Sequence, residues 1–241
     1  MITSAPAWRD EATPLLLTLI GASVDAMVIL GFNVLTAAQT GNTVLLAVAI
    51  ARGDLLTGAS AATSVTAFVL GCLLGECVIG CMRRLRMRDL GILPVLLLEL
   101  LLLATLLLVW SNSEPVTGGG TQVVVALAAL TMGLQSAAAL HARSPATTYM
   151  TGMLATFSTG FASWISTLLS TDSKATNDPH QPGDPQRTRA AFPWRNGVGW
   201  VIYLAGAILC GILFLRVGAM ALLMPIGISL VLLGLHLQRP N

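Results

Sequence analysis

Ile92–Trp110 is an apolar run in which Glu99 is the only ionisable side chain. Gly197–Leu215 and Val217–His236 are further runs of this kind, and about 20 apolar residues allow a helix to cross the hydrocarbon core of a bilayer. Charged residues make up only 10% of the chain, whereas about 25% is usual in soluble domains. The sequence therefore predicts an all-α, polytopic transmembrane helical bundle.

The chain can be divided into eight apolar segments. They are Pro14–Gly31, Gly41–Ala51, Ala59–Met82, Ile92–Trp110, Gln122–His141, Gly152–Leu169, Gly197–Leu215 and Val217–His236. The second segment is too short to span, since a helix rises about 1.5 Å per residue, and extending it backwards takes in Thr36, Gln39 and Thr40. We therefore expect six full spans with two short or re-entrant helices, or alternatively seven to eight spans.

The distribution of basic residues favours six spans. With the basic loop Arg83–Asp89 in the cytoplasm, only Arg52 and Arg216 of the 13 Lys and Arg residues would lie outside. Eight spans would divide the basic residues almost evenly, contrary to the excess of Lys and Arg that cytoplasmic loops carry. The six-span arrangement places both chain termini in the cytoplasm.

The chain is expected to be a single integral membrane domain, 1–241, with an internal repeat whose halves are about 14–110 and 122–236. Thr36–Gly41 (TAAQTG) aligns with Thr147–Gly152 (TTYMTG) at the same place in each half. Three spans per half would make an inverted repeat, as in many secondary transporters, with the site at the repeat interface. Four spans would give parallel repeats, and a duplicated fold without a transport role is another alternative. Residues 171–195 form a polar, Pro-rich loop.

Two carboxyl groups, those of Asp25 and Glu99, are expected deep in the membrane. Ionisable groups are expensive at that depth and are therefore candidates for function. We predict that Asp25 or Glu99 carries a coupling proton. The alternative is a carboxyl group that only holds two helices together by hydrogen bonds. Glu76 lies nearer the basic loop and is expected to reach the interface or to pair with Arg83.

Two Thr-Gly pairs are candidates for binding a substrate. Thr is a good N-cap residue, and the exposed N–H groups of a helix start attract anions. Two half-helices beginning at these pairs could therefore face an anionic or carbonyl-bearing solute. The predicted contact residues, all polar or glycine, are Gln39, Thr40, Gly41, Asn42, Gln135, Thr151 and Gly152. Tight helix packing through small residues is the alternative.

Motifs of other functional classes are missing from the sequence. It has no GxSxG or HExxH motif, so an enzyme is the least favoured class and neither a metal nor a cofactor is expected. The spacing of the four cysteines matches no metal site or disulfide framework. A net charge of +2 gives no basic surface for nucleic acid. Gly71–Gly75 is a GxxxG pattern and predicts a helix contact within or between subunits, so a homo-oligomer is an option.

Several short motifs resemble the YoaK family. They are Ser23-Val-Asp25, Thr40-Gly-Asn-Thr-Val-Leu-Leu46, Arg52-Gly-Asp54, Met132-Gly-Leu-Gln135 and Thr147-Thr-Tyr-Met-Thr151-Gly152. The likeness covers about residues 14–236, and the family consists mostly of bacterial plasma-membrane proteins grouped as a domain of unknown function. The resemblance therefore implies a multi-pass protein of the plasma (inner) membrane, and it brings no catalytic residue.

A small-solute secondary transporter or channel is the function that these features favour most. Its site would lie at the repeat interface, and its partners would be the lipid bilayer and an unknown small solute. The alternative is a non-catalytic membrane assembly or regulatory factor, for which the 171–195 loop would provide the docking surface.

Overall fold

The computed structural model of the protein describes residues 7–85, 87, 90–112, 119–141, 150–169 and 194–238. Within these ranges the chain is mostly helical, with no strand. The α-helices are α1 (Ala7–Phe32), α2 (Gln39–Arg52), α3 (Leu55–Arg84), α4 (Leu93–Asn112), α5 (Gly119–His141), α6 (Met150–Leu169), α7 (Trp194–Val217) and α8 (Leu223–Leu237). A 3₁₀ helix, Gly218–Leu222, joins the last two.

Five stretches are long and apolar enough to cross a membrane. Four of them correspond to α1, α3, α4 and α5, and the fifth, Asn196–Leu237, contains both α7 and α8. Among the described helices, α2 and α6 are not in this group. The outer faces are apolar too, since Leu101 and Leu108 on α4 are exposed, as expected for side chains in contact with lipid. The prediction of a helical membrane bundle is confirmed, and the protein is a membrane protein.

The chain divides into two compact units. The first contains α1 to α5, the part of α7 that begins at Ile202, and α8. The second, Met150–Val201, contains α6 and the start of α7. In the second unit Gly197 lies against the ring of Phe157, so the absence of a side chain at Gly197 lets the two helices approach closely.

A short non-helical segment, residues 33–38, separates α1 from α2. Asn33, directly after α1, has a positive φ of 56°, a conformation that Asn adopts more readily than most residues. With 14 residues, α2 is about 21 Å long and is too short to cross a hydrocarbon core of about 30 Å. The prediction of a short second helix is confirmed.

The turn between α2 and α3 is built by a glycine and a capping aspartate. Gly53 has φ 70°, and its N–H and that of Asp54 bond to the last carbonyls of α2, a left-handed C-cap that favours glycine. The Asp54 carboxylate accepts a hydrogen bond from the Thr57 N–H at 3.1 Å and caps α3. Bonds from Thr57 hold the pKa of the exposed Asp54 below its ordinary value.

Three glycines let α3 and α5 approach to backbone contact. A Cβ added at Gly71 would collide with the Leu130 carbonyl, and one at Gly133 would collide with the Phe68 carbonyl. A Cβ added at Gly75 would collide with the side chain of Ala137. The GxxxG pattern of α3 is thus a helix contact within the chain, as its small residues predicted, and α5 is its partner.

The most buried spans are α5 and α1, with 72% and 56% of their apolar windows covered, against 17% for the stretch that contains α7 and α8. The first hydrophobic core forms around Met27, Leu103 and Met132. The second forms around Leu96, Leu134 and Leu232. Polar side chains on α1 and α5 are therefore enclosed by other helices rather than by lipid.

Candidate functional site

Polar groups are concentrated inside the first unit. The described polar residues that are buried are Thr13, Thr18, Ser23, Asp25, Thr36, Asn42, Ser60, Ser64, Glu99, Thr131, Gln135, Ser136 and Ser229. Buried polar groups in an apolar bundle need hydrogen-bond partners. Six of these residues meet in three groups of contacts, described in turn: Asp25 with Thr36, Asn42 with Ser64, and Glu99 with Gln135.

Asp25 holds the non-helical segment against α1. Its Oδ1 accepts hydrogen bonds from the Thr36 N–H at 2.7 Å, the Ala37 N–H at 2.7 Å and the Thr36 hydroxyl at 3.0 Å. Its Oδ2 accepts a bond from the hydroxyl of Tyr203 on α7 at 3.1 Å. We call this arrangement the Asp25 clamp. All four groups donate, so the carboxylate satisfies them without a proton of its own.

Asn42 forms the centre of a second group, the Asn42 cluster, which also contains Leu35, Gln39 and Ser64. The Asn42 Oδ1 accepts a bond from the Leu35 N–H at 2.9 Å, and its Nδ2 donates to the Leu35 carbonyl. The same Nδ2 lies 2.9 Å from both Gln39 Oε1 and Ser64 Oγ. Asn42 thus bonds to both backbone polar groups of Leu35, much as a neighbouring strand would. It thereby connects the non-helical segment 33–38, called the broken segment below, to α2 and α3.

The start of α2 differs from the prediction. The interpretation of Thr40 as an N-cap is wrong, because α2 begins one residue earlier at Gln39, with Ala38 in the cap position and no side-chain capping bond. Thr40 is exposed. The N–H groups of Gln39 and Gly41 bond to the Ala37 and Ala38 carbonyls, both at 3.1 Å, so those donors are already in use.

The second Thr-Gly pair lies in the other compact unit. Helix α6 begins at Met150, so Thr151 is inside its first turn and the interpretation of Thr151 as an N-cap is also wrong. Thr151 is exposed and Gly152 is partly buried. The Gly152 carbonyl accepts a bond from the Thr156 hydroxyl at 2.8 Å.

Glu99 and Gln135 meet between α4 and α5. Both are completely buried, and the Gln135 Nε2 donates to Glu99 Oε1 at 3.0 Å. Glu99 Oε2 has no hydrogen-bond partner among the described residues. The sequence predicted both residues as functional candidates for separate reasons, and the structure brings them together.

A further group of polar side chains, less buried than the other three, lies near the end of α3. Glu76 Oε1 is 2.8 Å from His141 Nε2, and Arg83 Nη2 is 3.0 Å from His141 Nδ1. Glu76 and Arg83 therefore do not pair directly but share a histidine at the end of α5. Sequence reasoning gave His141 no role. The available signal was the spacing of Glu76 and Arg83, which places them two turns apart on one face of α3.

Metal ligands do not cluster in the described part of the chain, where no group of three or more His, Cys, Asp or Glu side chains could hold an ion. The family model described as "Protein of unknown function (DUF1275)" matches residues 13–235. The chain belongs to this family. The DUF1275 match runs from α1 to α8 and includes all three groups of contacts. Neither a curated protein nor a solved structure matches the chain.

Proposed function

We propose that this DUF1275 protein is a secondary transporter for a small solute and that Glu99 carries the coupling proton. The observation that carries the proposal is the completely buried Glu99 carboxyl group, whose Oε2 has no partner in the described chain. A carboxyl group that is enclosed in apolar surroundings at membrane depth is costly to keep and commonly belongs to a proton relay. A protonated Glu99 is neutral there, and loss of its proton would leave a charge whose one hydrogen-bond partner in the described chain is Gln135.

The geometry around Asp25 favours a structural role for this second candidate. Its two oxygens already accept four hydrogen bonds, and protonation would disturb at least one of them. We therefore assign proton coupling to Glu99 and the positioning of the broken segment to Asp25.

The solute would bind at the broken segment and the Asn42 cluster. The amide groups of Asn42 and Gln39 and the hydroxyl group of Ser64 can both donate and accept hydrogen bonds. They could therefore exchange the bonds among themselves for bonds to a carboxylate or carbonyl group of the solute. Non-helical backbone inside a membrane protein suits this role, because its N–H and C=O groups bond to side chains, as those of Leu35 do to Asn42, rather than within a helix. Gln135 remains a predicted contact residue in the same proposal.

We further propose that the chain is a YoaK-type protein of the plasma membrane, with six spans, an inverted repeat and cytoplasmic termini. The alternation of helices supports this arrangement, since the short α2 follows α1 and the less apolar α6 follows α5. No enzymatic activity and no cofactor form part of the proposal.

Cysteine labelling tests this topology. In a protein with its native cysteines replaced, Ser4→Cys and Ser173→Cys should both react from the side on which Met87→Cys reacts, because six spans place all three positions in the cytoplasm. Accessibility to a membrane-impermeant maleimide in intact cells and in inverted vesicles is the measurement. Reaction of Ser4→Cys and Ser173→Cys from opposite sides would contradict the inverted repeat.

Proton-coupled flux tests the function. Proteoliposomes containing internal pyranine, a pH-sensitive dye, would be exposed to sulfate, phosphate, and short mono- and dicarboxylates. We expect one of these anions to drive proton entry in the wild-type protein, and Glu99→Gln to abolish it while the protein stays folded. Glutamine keeps the size of the side chain and a carbonyl oxygen for Gln135 but cannot exchange a proton.

Glu76→Gln is the matched control, since it removes a carboxylate from the bundle surface and should leave the flux unchanged. Equal proton flux in the wild type and Glu99→Gln would exclude Glu99 as the proton carrier. No flux with any of the anions would favour the non-catalytic assembly or regulatory factor.

A further inference from the structure

A cavity opens at the end of the bundle where α3 ends, α4 begins and α5 ends. Its volume is about 470 Å³, and its lining residues are Ile79, Met82, Arg83, Met87, Gly91, Ile92 and His141. This size is within the range of small-molecule pockets, about 300–1,000 Å³. The cavity belongs to the first unit and takes no part in the proposed transport site.

The polar lining residues of this cavity are Arg83 and His141. Arg83 has five N–H donors in a planar fork, and its described hydrogen bond, to His141 Nδ1, uses only one of its nitrogens. Because arginine cannot accept a hydrogen bond, His141 Nδ1 must accept this one, and His141 Nε2 then carries the hydrogen that is donated to Glu76. The carboxylate thus holds the far side of the imidazole ring, and Glu76 is not among the lining residues.

The remaining lining residues are apolar or glycine: Ile79, Met82, Met87, Gly91 and Ile92. Arg83 is in the last turn of α3 and His141 is the last residue of α5, so the polar side lies at the end of two spans. Lipid phosphates are found at this depth, and basic pockets between span ends are typical binding places for anionic headgroups. A ligand with a phosphate next to an apolar chain would match both parts of the cavity.

We infer that the Arg83–His141 cavity binds the phosphate of an anionic phospholipid, with the guanidinium fork of Arg83 on the phosphate oxygens and the first part of an acyl chain along Ile79 and Ile92. Arginine binds phosphate through two parallel hydrogen bonds. The site is independent of the proposed transport function, and a lipid-binding measurement tests it whether or not transport is found.

The experiment compares the full-length protein in nanodiscs of phosphatidylcholine with increasing fractions of phosphatidylglycerol. The melting temperature should rise with phosphatidylglycerol. In Arg83→Gln the fraction needed for half of this rise should increase about tenfold, or the rise should be absent up to pure phosphatidylglycerol, because the variant loses charge-assisted hydrogen bonds to the phosphate. Arg84→Gln is the matched control, because Arg84 is the next residue of the same turn and does not line the cavity; it should behave as the wild type. Arg83→Lys, which keeps the charge but not the fork, should give an intermediate result and serves if Arg83→Gln does not fold.

Inorganic phosphate added to pure phosphatidylcholine nanodiscs separates the two sources of a phosphate group. We expect no Arg83-dependent stabilisation by phosphate alone. Such stabilisation at millimolar concentration would overturn the lipid and make a free phosphate the ligand. An equal response to phosphatidylglycerol in Arg83→Gln and Arg84→Gln, or no response in the wild type, would overturn the site.

Discussion

Asp25→Ala is expected to lower the free energy of unfolding by about 2–6 kcal/mol, since each buried donor left without a partner costs about 1–3 kcal/mol. The substitution would remove the acceptor for the Thr36 and Ala37 N–H groups, which are held at 2.7 Å in the interior. It would also release the Tyr203 hydroxyl. Unfolding of the purified protein by SDS titration, followed by tryptophan fluorescence, measures the loss.

Two variants make this prediction specific. Asp25→Asn should lose much less stability, because its amide oxygen can still accept from residues 36 and 37 and its amide nitrogen can donate to Tyr203. Asp54→Ala removes an aspartate that also accepts a backbone N–H but lies exposed at the start of α3, and it should have a far smaller effect. An equally large loss of stability in Asp54→Ala and Asp25→Ala would show that burial of the Asp25 clamp does not increase its contribution to the free energy of unfolding.

Gly133→Ala is the second substitution with a large expected effect. The added methyl group would collide with the backbone carbonyl of Phe68, which cannot move aside as a flexible side chain could. The α3–α5 contact would have to separate, at a cost of about 1–3 kcal/mol or more, as for other overpacked sites. The same SDS titration gives the value.

Gly80→Ala is the control for this substitution. Gly80 lies on α3 with no atom within 4 Å of an added Cβ, so alanine should be neutral or stabilise the helix by about 0.5–1 kcal/mol. Opposite signs for the two variants are therefore expected. Destabilisation of the same size at both positions would show that the loss at Gly133 does not come from the α3–α5 contact.

Apolar segment length was enough to predict the helices. The long runs became α3, α4 and α5, and the shortness of α2 followed from the polar residues between Leu35 and Asn42. Both features are local properties of the chain, and the thickness of the bilayer determines whether a helix of a given length can span it. The GxxxG pattern likewise predicted a close helix contact, although not that α5 would be the partner.

The partners of the candidate site residues could not be predicted, because they are distant in sequence. Ser64 reaches Asn42 across 22 positions, and Tyr203 reaches Asp25 across 178. The periodicity of a single segment does not show which faces of two helices meet. The capping role given to Thr40 was wrong for a related reason: propensity favours Thr at a helix start, but the Asp25 clamp already fixes the backbone just before it.

The four bonds of the Asp25 clamp also differ in when they can form during biosynthesis. Thr36 and Ala37 leave the ribosome soon after Asp25, whereas Tyr203 follows when most of the chain has been made. Since chains emerge from the N-terminus onwards, the bond from Tyr203 is the last of the four to close. A chain that ended before α7 would therefore lack the donor that Tyr203 supplies to Asp25 Oδ2.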